Sequence, residues 1–148
     1  MVSFLLKIIT PARVLFQKEV VSATLPVLGG QVTILPHHMP IIGALSEGGE
    51  IIVRDAEERT HFLLSIGGCM EFHGETLTLL VNDGERAEDI DIEAAEKAKA
   101  RAEELRKNAE NLEGEEHATI LLAIEREASR IRIAKKHHHH HHGHHHAS

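Results

Sequence analysis

The sequence predicts an all-β sandwich or barrel followed by a C-terminal α-helical hairpin. Short runs rich in β-branched residues, separated by glycines, fill the first part. Alanine, glutamate, lysine and arginine take over within a few residues of GERAEDID, and beyond that point apolar residues recur at spacings of three and four. All four phenylalanines, all four prolines and nine of the eleven glycines lie before residue 85. The boundary is therefore expected near Glu88, with a β unit over residues 1–87 and a two-helix unit over residues 88–136. Residues 137–148, HHHHHHGHHHAS, carry nine of the fourteen histidines and read as a purification tag.

In the β unit, FLLKII, EVVSATL, QVTIL, EIIVR, THFLLSI, CMEFH and TLTLLVN read as strands, punctuated by the glycine pairs at 29–30 and 48–49, HGE and NDG. Runs so short and closely spaced indicate antiparallel pairing. In TLTLLVN, Leu77, Leu79 and Val81 share one face, while Thr76, Thr78 and Leu80 share the other. Leu80 makes the second face partly apolar, which calls for a covering partner.

In the helical unit, Ala95, Ala98, Ala102, Leu105, Ala109 and Leu112 line one side of a first helix. Asp91 is its expected N-cap, with Ile90 and Ala95 in hydrophobic-staple positions. Gly114 can end it in the left-handed conformation. A second helix is expected from about His117 to Ala134, with Leu121, Ile124, Ala128 and Ile131 as its stripe. Facing stripes and a short loop make an antiparallel hairpin. At about 0.8 kcal/mol per buried methylene, an alanine face contributes far less than a leucine face. The hairpin should be weakly held, and two readings follow: a static hairpin packed on the sandwich, or one that switches between two forms.

Formal charge is −7 with both signs mixed along the chain, and Trp and Tyr are absent, so neither the basic footprint nor the stacking platforms of a nucleic-acid binder are present. No apolar run approaches the roughly 20 residues that span a bilayer, and MVSFLLKIITPARVLF does not resemble a secretory leader or a transit peptide. Cys69 has no partner for an internal disulfide and reads as a small buried apolar residue.

The stretch GGQVTILPHHMPIIGAL sets His37 and His38 between Pro36 and Pro40. Adjacent residues of an extended strand face opposite ways, so this pair could ligate one metal only if the backbone turned sharply between them. His61 and His73, on other expected strands, could converge with them in the manner of a cupin-like metal-binding β sandwich. That arrangement needs two histidines one residue apart and a downstream glutamate, which HHMP lacks. No metal is expected, and a bend between strands is the other reading of the stretch.

KIITPARVLFQKEVVSATLPVLGGQVTILPHHMPIIGAL, SIGGCMEFHGETLTLLVNDGERAEDID and the helical hairpin behind them follow one another in a specific order. In content and order, nearly the whole chain before the tag resembles the epsilon subunits of F-type ATP synthases. The resemblance implies about ten strands in the sandwich and a non-catalytic place in the central stalk. There the subunit fastens gamma to the membrane c ring and couples ion-driven rotation to ATP synthesis. It implies that the hairpin is a conformational inhibitor of ATP hydrolysis, reaching the alpha and beta subunits when extended. It also implies a peripheral position on the cytoplasmic side of a bacterial plasma membrane.

For individual residues, the resemblance makes Arg126, Arg130 and Arg132 the inhibitory contact to an acidic stretch of beta, and it places His38 at the c-ring interface. Some bacterial members bind ATP through a motif of isoleucine or leucine, aspartate, any two residues, arginine and alanine. Here the motif aligns with Ile90, Asp91, Ile92, Glu93, Ala94 and Ala95, so alanine stands where the arginine is expected. Arg101, Arg126 and Arg130 match the family's other phosphate-facing arginines. With the motif guanidinium missing, only a weak regulatory ATP site is expected at Ile90, Asp91, Ala95 and these arginines, and no obligatory cofactor.

Overall fold

In the computed structural model the chain runs through β1 (Phe4–Ile9), β2 (Val14–Val27), β3 (Gly30–Ile34), β4 (Ile41–Asp55), β5 (Thr60–His73), β6 (Thr76–Arg86), a 3-10 turn (Ala87–Asp89), α1 (Ile92–Asn108) and α2 (Glu115–His145). The structure describes residues 2–108 and 114–145, with side chains as far as residue 140. Two compact units divide the chain, Met1–Ala87 and Glu88–Ser148.

In the first unit β6, β5, β4 and β2 follow one another as antiparallel neighbours. β1 closes the ring by pairing in parallel with β6 and antiparallel with β2. β2 is shared along its length, with residues 14–20 pairing with β1 and residues 23–27 with β3.

Among the described residues six strands form, fewer than the roughly ten that the resemblance implies. The reason is local. β2, β4 and β5 are 14, 15 and 14 residues long and bend without ending. β4 shifts register between Glu47 and Gly49, so the glycine pair read as a turn is a bulge inside the strand. THFLLSI and CMEFH likewise belong to one strand, β5, which passes through Gly67 and Gly68 at φ 61 and 130. At Gly68 any side chain is excluded, because a Cβ would stand 2.1 Å from the Leu80 carbonyl oxygen and 2.8 Å from Val81 Cα. NDG also falls inside β6. HGE is a true turn: Gly74 and Glu75, at φ 58 and 60, link the paired residues His73 and Thr76.

Alternation fills the interior. Leu77, Leu79 and Val81 of β6 are buried as the sequence predicts, and they join Phe4, Leu6 and Ile8 of β1 in one apolar core. Phe4 meets Phe72 edge to face, with ring centroids 5.6 Å apart and planes at 89°. Each large side chain buried in this way contributes about 1.5–3 kcal/mol.

In the second unit α1 packs against α2. Asp91 caps α1 as expected, its Oδ1 accepting from the Ala94 N–H at 3.1 Å and its carbonyl from the Ala95 N–H at 3.0 Å. Ile90 and Ala95 are buried. Gly114 has φ 76, and its carbonyl accepts from the Ala118 N–H at the start of α2. Two expectations need correction. Leu105, placed on the α1 stripe by its spacing, is 60% exposed, while Ala95 and Ala102 are buried. α2 does not stop near Ala134 but continues to His145, since no proline interrupts the lysines and histidines that follow. Its most buried residues are Ser129, Ile133 and Ala134, with Leu121, Ile124, Ala128 and Ile131 half-buried beside them. Ala109 and Leu112 lie outside the described residues.

Candidate functional site

The loop between β3 and β4 does turn sharply, with His37 at φ 66 and the His38 N–H donating to the Leu35 carbonyl at 3.1 Å. Its histidines are engaged separately. His37 offers its backbone N–H to Glu75 Oε2 at 3.3 Å, and its Nδ1 lies 3.4 Å from Glu75 Oε1. His38 sets Nδ1 2.7 Å from the Met39 carbonyl oxygen and its ring edge-on to Phe72. His61 faces Asp55, and His73 sits exposed at the other end of β5. Among the described residues no group of three or more His, Cys, Asp and Glu is placed to hold a metal ion.

The same loop carries Leu35 and Met39 outward, both exposed. On the outer face of the sheet, register places Ala44 opposite Cys69 and Cys69 opposite Leu80. All three are exposed, which corrects the burial expected of Cys69: its place on β5 turns it to the outer face. Ile42, 79% exposed, lies two residues before Ala44. Leu80, whose position on the second face the sequence predicts, thus belongs to an apolar row that crosses three strands. A loop tip and a sheet face of this kind are binding surfaces in character, since exposed apolar groups that lie together cost less when covered.

On the helices, Arg101 and Arg126 are exposed. Arg130 donates to Glu127 Oε2 at 2.9 Å, and Arg132 donates to Ser129 Oγ at 3.3 Å. Of the residues aligned with the nucleotide motif, Ile90 and Ala95 are buried and Asp91 spends its carboxylate on the α1 cap. The last part of α2 before the histidine run is basic, with Arg126, Arg130, Arg132, Lys135 and Lys136 against Glu125 and Glu127.

One polar centre is not singled out by the sequence. Asp55, at the end of β4, is fully buried. Its Oδ1 accepts from the N–H groups of Glu57 and Arg59 at 2.8 and 2.9 Å, and its Oδ2 accepts from Lys18 Nζ at 3.0 Å and His61 Nε2 at 2.8 Å. Burial alone would raise its pKa, but the bonds from His61, the Arg59 N–H, Lys18 and the Glu57 N–H outweigh that and hold the carboxyl well below the usual carboxylate range. The only hint in the sequence is an aspartate at the head of the charged turn RDAEER.

Comparison with known proteins sets these surfaces in context. Residues 3–87 match the family described as ATP synthase, Delta/Epsilon chain, beta-sandwich domain. An ATP synthase epsilon chain from Nitratidesulfovibrio vulgaris (strain DP4) is 35% identical over 128 residues, covering 86% of this chain and 92% of the relative. One from Moorella thermoacetica is 34% identical over 134 residues, covering 90% and 98%. Among solved structures, a chain of the Euglena gracilis mitochondrial ATP synthase (OSCP/F1/c-ring) has a similar fold, with TM-score 0.73 and 17% identity, covering 87% of this chain and 79% of that one. A chain of the Tetrahymena thermophila mitochondrial ATP synthase central stalk and c ring gives TM-score 0.56 at 15% identity, covering 89% and 93%. The matched sandwich, together with relatives more than 30% identical over nearly their full length, shows that this chain belongs to the epsilon-chain family of the ATP synthases.

Proposed function

We propose that the chain transmits rotation in the central stalk, fastening gamma to the c ring through its sandwich and restraining ATP hydrolysis through its helical hairpin. As a member of the epsilon family it is a stalk subunit and performs no chemistry itself. The observation that carries the coupling role is the closed ring of strands bearing an apolar row, Ile42, Ala44, Cys69 and Leu80, on its outside. A ring with its strand edges paired resists shear, and the exposed row offers gamma an area from which water can be expelled. The loop with His38, Leu35 and Met39 is the contact for the c ring. Among the described residues no helix is long and apolar enough to cross a membrane, and on this reading attachment to the cytoplasmic face of the bacterial membrane comes from the assembled complex.

The restraining role rests on the contrast between the two units. The sandwich is filled with leucines and phenylalanines, whereas the buried residues of α1 are two alanines, Ala95 and Ala102, so the hairpin is the part whose arrangement changes at small cost. When extended, Arg126, Arg130 and Arg132 meet an acidic stretch of the beta subunit. Nucleotide has at most a weak regulatory place at Ile90, Asp91, Ala95, Arg101, Arg126 and Arg130. Asp91 already caps α1, Arg130 already bonds Glu127, and Ala94 supplies no guanidinium.

Reconstitution tests this reading. The tag-free chain mixed with gamma should co-elute as a complex, and adding it to an enzyme assembly that lacks it should lower ATP hydrolysis. Separate elution combined with unchanged hydrolysis would refute the stalk role.

A further inference from the structure

β6 ends on Arg86, whose guanidinium carbon lies 5.7 Å from the centre of the Phe16 ring on β2. That distance is within the range of a cation–π contact. Phe16 is nearly buried, and its ring is held from another direction by His61, edge to face with centroids 5.2 Å apart. Asp55 in turn fixes the imidazole of His61, and Asp55 is tied to two backbone N–H groups and to Lys18. From the buried aspartate to the last strand residue, then, each side chain is oriented by the one before it. The next residue, Ala87, is 3% exposed. Glu88 and Asp89 then come to the surface within the 3-10 turn. At Ile90 the chain is buried again, and at Asp91 the α1 cap fixes the backbone.

We infer that Arg86, seated on Phe16, is the catch that pins the end of the sandwich, so that any swing of the helical hairpin starts after Ala87 and is taken up by Glu88 and Asp89. A pivot needs a few residues whose dihedral angles can change between two well-fixed ends, and a short 3-10 segment is a frequent form for such a hinge. Here the fixed ends are the Arg86 seat and the Asp91 cap. The consequence for regulation rests on the switching role proposed above, while the catch itself is a property of the isolated chain.

Hydrogen–deuterium exchange on the full chain without other subunits tests it. In Arg86→Ala, amides of residues 84–90 should exchange about threefold to tenfold faster, the range expected when a contact of this strength is lost, while β1 and β4 keep their protection. Arg86→Lys, which retains a cation over the ring, should restore part of the protection. Phe16→Leu should speed exchange at the same amides, and the double variant should show less than the sum of the two single changes, since the Arg86–Phe16 contact is lost in each. Unchanged exchange at residues 84–90 in Arg86→Ala would overturn the inference. So would a rise shared equally by all strands, or fully additive effects in the double variant. Loss of gamma binding or of inhibition in reconstitution would instead count against the stalk reading and leave the catch standing.

Discussion

His61 Nε2 lies 2.8 Å from Asp55 Oδ2, the oxygen that also accepts from Lys18 Nζ at 3.0 Å. One buried carboxylate therefore joins β5, β4 and β2 at the end of the sandwich where the β4–β5 turn closes. Asparagine keeps one acceptor oxygen for the Glu57 and Arg59 N–H groups but sets an NH2 where Lys18 Nζ and His61 Nε2 need an acceptor. Asp55→Asn should destabilise the first unit by about 2–4 kcal/mol, read as a lower urea midpoint.

The same residue sets an acid response. The folded pKa of Asp55 is depressed, so its contribution is complete above the unfolded value of about 4 and fades as pH falls from there toward the folded value. Urea midpoints taken from pH 7 down to about pH 3 should thus fall more steeply below pH 4 for the unaltered chain than for Asp55→Asn. Parallel curves would show that the carboxylate gains nothing from its partners.

Gly68 and Gly43 make a matched pair. Gly68→Ala forces a methyl against the β6 backbone from a left-handed residue and should cost about 3 kcal/mol or more. Gly43→Ala places its methyl 3.5 Å from Met70 Cγ, an ordinary contact, and should change stability by less than about 1 kcal/mol. Thermal melts of the two variants side by side decide the matter.

Cutting the chain after Ala87 should leave a cooperatively folding β unit that still binds gamma. Circular dichroism and a urea titration check folding, and co-elution checks binding. Aggregation of the fragment would mean that the sandwich depends on the helices.

Replacing Arg126, Arg130 and Arg132 together by alanine should raise ATP hydrolysis by the assembled enzyme about fivefold or more, the usual scale of an allosteric coupling. Added salt should act in the same direction on the unaltered enzyme, because charge pairs at a surface are screened. Hydrolysis that ignores both changes would leave these cations as a solvated helix face.

Restoring the motif arginine with Ala94→Arg should tighten ATP binding by about tenfold in calorimetry, since a guanidinium adds charge-assisted bonds to phosphate. No gain would mean that the remaining arginines do not form a pocket with it.

Local rules worked wherever one element settles its own fate. The Asp91 cap and the alternation of Leu77, Leu79 and Val81 follow from short-range geometry and were legible in the sequence. Glycines misled where tertiary pairing overrode them. Gly48, Gly49, Gly67 and Gly68 look like chain reversals, yet neighbouring strands continue to bond on either side, so the strands bend and carry on. Leu105 fits the helical period but lies outside the buried face, since spacing cannot say how wide a face the partner helix covers. Among the interaction candidates, Leu80 was visible as an apolar residue on an outer face. Its alignment with Ala44 and Cys69 depends on register between distant strands, and so does the meeting of Asp55 with Lys18 and His61.

The way β1 closes the ring also bears on how the chain is made. Leu5 of the first strand stands opposite Thr76 of the last, so β1, which leaves the ribosome before the rest of the sandwich, finds its parallel neighbour only when the whole sandwich has been synthesised. Until then β1 can zip only onto β2, and the nascent product carries an unsatisfied strand edge. Such long-range closure slows folding, and it makes this half-built sheet the moment when newly made copies are most exposed to chaperones and to one another.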